Sequence, residues 1–179
     1  LDANSEMLPD GRVLQGLVAS PFNKNKFYNP QTNLYSTAPS SFGNHDEATW
    51  LLLKDSSILL VDNYTYNSER YIPSINAWIH DSILPVQIYD SAGRETGAAF
   101  LLPDGRAFFM GATSKTAFYT PSGNLSKGIW TAGPDIPDSL CALDAAASMM
   151  PNGKILCAFS PIPTDSNIFI PPTRSEERR

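Results

Sequence analysis

Leu101–Ala107 reads LLPDGRA, and the chain writes the same phrase three more times: MLPDGRV at Met7–Val13, LLKDSSI at Leu52–Ile58 and MMPNGKI at Met149–Ile155. In each copy an apolar run meets a polar pair (Asp10-Gly11, Asp55-Ser56, Asp104-Gly105, Asn152-Gly153), and a second apolar run follows at once. Asp-Gly and Asn-Gly accept the positive φ angles of a two-residue turn, so each copy predicts a β-hairpin. The pairs begin at positions 10, 55, 104 and 152, a spacing of 45 to 49 residues. A period of that size marks a repeat architecture.

A second phrase recurs in phase with the first: Tyr28-Asn29-Pro30, Tyr71-Ile72-Pro73, Tyr119-Thr120-Pro121 and Phe169-Ile170-Pro171. Three copies continue to an Asn (Asn33, Asn76, Asn124) and then to an aromatic strand holding Tyr35, Trp78 or Trp130. Proline presets φ for a turn and Asn closes it, which predicts a second hairpin in each unit and so four strands per unit. The expected strands are 3–8, 12–18, 25–29 and 33–37; then 48–53, 57–62, 69–72 and 76–79; then 97–102, 106–111, 116–120 and 128–132; and finally 145–150, 154–159 and 167–170. A further extended run is expected at Val86–Tyr89. The units fall at about 1–44, 45–92, 93–142 and 143–171, followed by a charged tail at 172–179. A small residue (Ala3, Ala48, Gly97, Ala145) opens the first strand of every unit, as crowding around a narrow axis would require.

Composition agrees with an all-β chain. The chain carries 15 Pro and 11 Gly, and no window of helical length shows a sustained 3.6-residue stripe. Hydrophobic residues make up 42% of 179 residues, enough for a sizeable core. The net charge of −5, with no basic cluster outside the tail, disfavours nucleic acid as a partner. No apolar run is long enough to span a bilayer, so membrane insertion is not expected. The N-terminus shows no signal-peptide or lipidation pattern, and a targeting segment is expected to have been removed or to lie outside this sequence. Counting back across the Asn152-Gly153 turn sets Cys157 opposite Ser148, so the register gives no disulfide to Cys141. A bond through the preceding loop and a buried free thiol stay open as alternatives.

Four-stranded units at this period are the signature of β-propeller blades. The LPDGR-type hairpins, the Tyr-x-Pro-x-x-Asn turns leading to Trp78 and Trp130, and the phrase WTAGPDIP at 130–137 together resemble the kelch-like propellers, in the bacterial form related to the central domain of galactose oxidase. The chain departs from that family where a Gly-Gly pair would end the second strand: it has Gln15-Gly16, Val61-Asp62, Met110-Gly111 and Ala158-Phe159. The resemblance implies a kelch-type segment of three full blades and most of a fourth. Such a segment is either open, closed by oligomerisation into a homo-oligomer, or paired with blades outside this sequence.

In a propeller the short hairpins share one face, and the connections from strand two to three and from blade to blade share the other. Here the second set is long: 38–47, 62–68, 80–96, 133–144 and 160–166. Loops on a rigid scaffold carry binding. These loops collect His45-Asp46-Glu47, Asp62, Tyr64, Tyr66, His80-Asp81, Glu95 and Asp144. Asp46, Glu47, Glu95 and Asp144 precede innermost strands and are expected around the axial mouth, as a site for a cation or polar ligand. With Tyr64 and Tyr66 they offer a sugar platform. The plainer alternative is that these carboxylates accept backbone N–H groups or are simply solvated.

Function classes narrow accordingly. A galactose- or glyoxal-oxidase site needs two imidazoles and two tyrosines on one copper, with one tyrosine joined to a cysteine. The only histidines are His45 and His80, and neither follows a tyrosine. Asp46 and Glu47 would point to opposite faces of an extended strand and so form no acid/base dyad. No nucleophile elbow is present. The expectation is a non-catalytic module without a cofactor, from a secreted or cell-surface bacterial protein, whose long-loop face binds protein or carbohydrate. The alternatives are a fragment of a copper oxidase with ligands outside this chain, and an assembly protein. Asn63-Tyr64-Thr65 and Asn124-Leu125-Ser126 match the glycosylation pattern, which would need a eukaryotic secretory source.

Overall fold

A computed structural model describes residues 4–18, 21–44 and 46–164. The expected start at Ala3, His45, the strand at 167–170 with its Phe169-Ile170-Pro171 turn, and the tail lie outside the described residues. The described residues are all-β, with two single-turn 3-10 segments among them, Pro73–Ile75 and Pro137–Ser139. Three four-stranded antiparallel sheets follow one another, each in simple up-and-down order. The first holds β1 (Ser5–Met7), β2 (Val13–Gly16), β3 (Asn25–Asn29) and β4 (Leu34–Ala38). The second holds β5 (Trp50–Leu52), β6 (Ile58–Val61), β7 (Ser68–Ile72) and β8 (Ala77–His80). The third holds β9 (Ala99–Leu101), β10 (Ala107–Met110), β11 (Thr116–Thr120) and β12 (Ile129–Ala132). Then β13 (Leu140–Cys141) pairs with β16 (Ser160–Pro161), and β14 (Ala147–Met149) with β15 (Ile155–Cys157). No helix among the described residues is long and apolar enough to cross a membrane.

The four repeated hairpins have three-residue loops where two were expected. Leu8, Leu53, Leu102 and Met150 donate their N–H to the carbonyls of Arg12, Ser57, Arg106 and Lys154, at 2.7–2.8 Å. Three residues are left to turn the chain. Pro, or Lys54 in the second copy, takes the first place and Asp or Asn the second. The third takes the left-handed conformation: Gly11, Gly105 and Gly153 at φ 79–89°, and Ser56 at φ 68°. The middle side chain then accepts the N–H two residues on, at 3.0 Å in all four (Asp10 from Arg12, Asp55 from Ser57, Asp104 from Arg106, Asn152 from Lys154). This is a type I turn closed by a left-handed residue, and it moves each register by one. Cys157 therefore faces Ala147, not Ser148. Both cysteines are free, Cys141 buried and Cys157 half-buried.

The Tyr-x-Pro turns follow the sequence reading in two copies. The Tyr28 hydroxyl donates to Asn33 Oδ1 (3.0 Å) and the Tyr71 hydroxyl to Asn76 Oδ1 (2.8 Å), with both asparagines at positive φ. In the third copy the loop is longer, Gly123 takes the positive φ, and Tyr119 turns instead to Asp81. Val86–Tyr89 forms no strand. Its carbonyl at Ile88 accepts one bond from Ala112, while Leu84 and Ile88 are buried beneath the third sheet. The 133–144 and 160–166 stretches, expected as loops, contribute β13 and β16.

The sheets pack face to face, and the central one is buried on both sides. Trp50, Ile58, Leu60, Tyr71 and Trp78 of the second sheet meet Leu14 and Phe27 of the first. Leu59 and Val61 point the other way, toward Phe109, Tyr119 and Trp130 of the third. Strand β6 consequently reads ILLV with no exposed side chain, as a strand covered on both faces should. On the far face of the third sheet, Met110 and Phe108 meet Ile136, Ala142 and Ile155. The first strands lie beside one another: β1 contacts β5, and β5 contacts β9. Gly97 sits at this seam, where a Cβ would run into the Met110 carbonyl oxygen and lie 3.1 Å from that of Ala142.

Candidate functional site

The lead-ins to β5, β9 and β14 are laced together at the end of the sheets opposite the tight hairpins. The Thr49 hydroxyl donates to the Gly97 carbonyl at 2.6 Å, Gly97 bridges to Leu143, and the buried Asn63 amide donates to the carbonyls of both Asp46 and Arg94. This lacing holds three side-chain-bearing residues in the left-handed region: Glu47 (φ 61°), Arg94 (φ 63°) and Asp144 (φ 46°). Glu47 is therefore not on an extended strand, and the alternation expected for Asp46 and Glu47 does not apply.

The lacing gathers acids. Burial first, and then the charges of Asp144, Glu47 and Asp90, push the Glu95 carboxyl up to about 7. Asp90, which sequence reasoning passed over, is saturated by its own loop. Its Oδ1 accepts the N–H groups of Ala92 (2.8 Å) and Gly93 (2.5 Å), and its Oδ2 that of Glu95 (2.9 Å). Asp46 accepts from Asn63 through its backbone, while its Oδ1 is buried with no hydrogen-bond partner. Of the expected mouth residues, Glu47, Glu95 and Asp144 thus interact directly, with Asp46 tied to their frame. The tyrosines stand apart: Tyr64 lies under Arg94 at 5.1 Å, and the Tyr66 ring sits edge-on to Tyr89 at 6.2 Å. A cavity of about 420 Å³ opens beside Asp90, walled by Gln87, Ser91, Thr113 and Pro163.

A second constellation lies between the first and second sheets. Alternation along β7 sends Glu69 and Tyr71 toward the first sheet and Arg70 toward the third. Glu69 is buried and takes the N–H of Phe42 on Oε2 (2.8 Å) and that of Gly43 on Oε1 (2.7 Å). Burial and the neighbouring Asp62 raise its carboxyl to about 7 against those two bonds. His80, paired across the sheet from Glu69, stacks on Phe42 with ring centres 3.8 Å apart. Phe42, Gly43, Asp62, Asn67, Ser68, Glu69 and His80 enclose about 170 Å³. Glu69 and Phe42 were not singled out from the sequence. The legible signal was an acid placed in phase with Tyr71 on a strand destined for burial.

On the opposite face of β7, Arg70 is fully buried. Its Nε donates to Asp81 Oδ2 at 2.5 Å, and its Nη2 to the carbonyls of Ser126 (2.6 Å) and Asn124 (3.2 Å). Asp81 also accepts the Tyr119 hydroxyl (2.8 Å) and the N–H groups of Ser82 (2.7 Å) and Gly128 (2.9 Å). Burial alone would raise the Asp81 carboxyl, but these donors hold it below its ordinary value. Burial, and then the bond to Asp81, raise the Tyr119 phenol. Arg70 Nη1 alone lacks a hydrogen bond, with Asp55 Oδ2 3.7 Å away, and the other bonds tie the second sheet to the third, so this cluster is a latch. Of the two glycosylation triplets, Asn63 is buried and Asn124 exposed.

No family model and no curated protein matches the sequence. Solved structures do share the fold. A novel fungal alcohol oxidase of the AA5 family, in complex with copper, is similar over 87% of this chain and 36% of its own, with a TM-score of 0.67 and 14% identity. YjhT is similar over 84% of this chain and 56% of its own, with a TM-score of 0.61 and 12% identity. The chain thus spans only part of either neighbour. Copper belongs to the oxidase, and the described residues do not fit it. His80 is stacked on Phe42, Cys141 is buried against Ser160 and Pro161, and no group of three or more His, Cys, Asp or Glu among the described residues comes together as a metal site. At these identities the likeness is one of fold: an all-β run of four-stranded antiparallel sheets, distantly similar to part of an AA5 oxidase.

Proposed function

We propose that the chain is a run of kelch-type propeller blades, three complete and part of a fourth, acting as a non-catalytic binding scaffold in a secreted or cell-surface protein. Its ligand, protein or carbohydrate, meets the face built by the long connections, where Asp46, Glu47, Tyr64, Tyr66, Glu95 and Asp144 are the candidate contacts. The observation that carries this reading is the gathering of Glu47, Asp90, Glu95 and Asp144 where the first strands begin. Holding like charges together around the half-buried Glu95 is costly, and sites that do so are candidates for binding. The side-by-side first strands support a common hub. Blades outside this sequence, or a second copy, would complete the ring.

Copper quantification with an alcohol-oxidation assay tests the reading, alongside a glycan array and affinity capture from extracellular material. Saturable binding that Glu95→Gln or Asp144→Asn weakens is the expected result. Stoichiometric copper with turnover would replace it by the second reading, a segment of a copper oxidase with ligands elsewhere, which the AA5 neighbour favours. Silence in every binding assay, together with a stable filament in light scattering, would favour an assembly role.

A further inference from the structure

We infer that the cavity between the 41–44 loop and the ends of β6, β7 and β8 is a binding site for a protonated primary amine, with Asp62 and Glu69 as its anionic wall and Phe42 as its aromatic lip. This deepens the binding-scaffold reading, on which it rests only for placing the cavity among the long connections.

Asp62 follows β6 and is only 8% exposed. Its Oδ1 accepts the N–H groups of Tyr64 (2.7 Å) and Thr65 (3.2 Å), which leaves Oδ2 without a hydrogen-bond partner. That oxygen faces Gly43 on the cavity wall: a Cβ on the glycine would lie 2.7 Å from it and 3.1 Å from Glu69 Oε1. Two buried carboxylates therefore converge on bare backbone. Among the described residues no Lys or Arg forms an ion pair with either. The ion pairs among the described residues join Arg12 to Asp10, Arg70 to Asp55 and Asp81, Arg106 to Asp104 and Lys115 to Asp135. Burial above all, with a smaller contribution from the Asp62 charge, raises the Glu69 carboxyl to about 7. A bound cation favours the charged form and offsets that shift.

The geometry selects the kind of cation. Hard divalent ions want about six oxygen donors, whereas Asp62 and Glu69 bring only their carboxylate oxygens, three of which already accept backbone N–H groups. The enclosed volume of about 170 Å³ also far exceeds an ion. At about 30 Å³ per water it holds the equivalent of some five or six waters, room for a short alkyl chain with an ammonium head. Phe42 is 55% exposed, and its ring, stacked on His80, gives the cation an aromatic face at the rim. A free alkylamine and a lysyl side chain share this chemistry.

Titration with n-butylammonium chloride, read at the Phe42 and Gly43 amide NMR signals, tests the site against n-butanol and sodium chloride at equal concentrations. The expected result is a saturable shift with butylammonium alone, weakened at least tenfold by Asp62→Asn and severalfold by Phe42→Ala. The exposed ring makes the Phe42 variant a safe one to fold. Nα-acetyl-lysine N-methylamide binding tighter than butylammonium identifies a protein side chain as the source, and the reverse order identifies a free amine. No saturable shift, an equal response to butanol, or undiminished binding in both variants overturns the proposal. Glycan binding that survives while amine binding fails sinks the pocket alone. Oxidase turnover sinks the scaffold reading without touching the titration.

Discussion

Glu69 and Glu95 are both held near neutrality, Glu69 by burial with Asp62 beside it and Glu95 by burial within a ring of acids. A carboxyl group raised from its ordinary 4.5 to about 7 binds its proton more tightly in the folded chain than in the unfolded one. Its contribution to stability is therefore complete below pH 4.5 and is lost as pH rises through about 7. Denaturant melts should show the protein more stable at pH 5 than at pH 8, with Glu69→Gln and Glu95→Gln each flattening the difference. Asp81 works in the opposite sense. Its lowered carboxyl contributes above the ordinary carboxylate value and fails only in stronger acid. Removing its charge strands the buried Arg70 guanidinium, so Asp81→Asn should cost about 3–5 kcal/mol in urea unfolding at pH 7.

At the scale of the element, the repeated hairpin explains its own residue choice. The last loop position must be left-handed, which glycine adopts freely and an L-residue only at a cost of about 1–2 kcal/mol. Three copies place glycine there and the second places Ser56, also at positive φ. Ser56→Gly should therefore stabilise the chain by about 1 kcal/mol, and Gly105→Ala should destabilise it by about 1–2 kcal/mol. A Cβ on Gly105 meets nothing within 4 Å, so that loss would be conformational and not steric. Equal effects at both sites in thermal melts would contradict this account. Strand β6, with both faces covered, is the other informative element: Leu59→Ala should cost about 2–5 kcal/mol as a cavity at the contact with the third sheet.

At the scale of the whole molecule, the arrangement depends on how closely the first strands approach. Gly97 lies against the Met110 and Ala142 carbonyls, so Gly97→Leu should cost more than the roughly 1–3 kcal/mol of ordinary overpacking. A neutral result in unfolding would mean that β9 is free to move away from its neighbours. If the sheets close a ring with a second copy, light scattering should return twice the 19.6 kDa chain mass, and the Gly97 variant should weaken that association.

Much of this was written in local chemistry. The four Asp-Gly-like pairs, the Tyr-x-Pro turns and the aromatic partners across them determine the period, and in the first three units the strand number and order, because turn residues and strand alternation act between near neighbours. The same local evidence misjudged the hairpin by one residue, since Pro-Asp-Gly serves a three-residue loop as readily as Asp-Gly serves a two-residue one, and Cys157 moved from Ser148 to Ala147 with it. The gathering of acids was half legible: Glu47, Glu95 and Asp144 could be placed at strand starts, while Asp90 and the bridging Asn63 could not. The cavity beside Glu69 was not legible at all. Phe42 and Glu69 are 27 positions apart, and only the packing of the first sheet against the second folds that loop over β7. Spacing along a chain specifies which residues turn and which alternate. Which buried charges meet, and whether anything neutralises them, is decided by contacts between sheets.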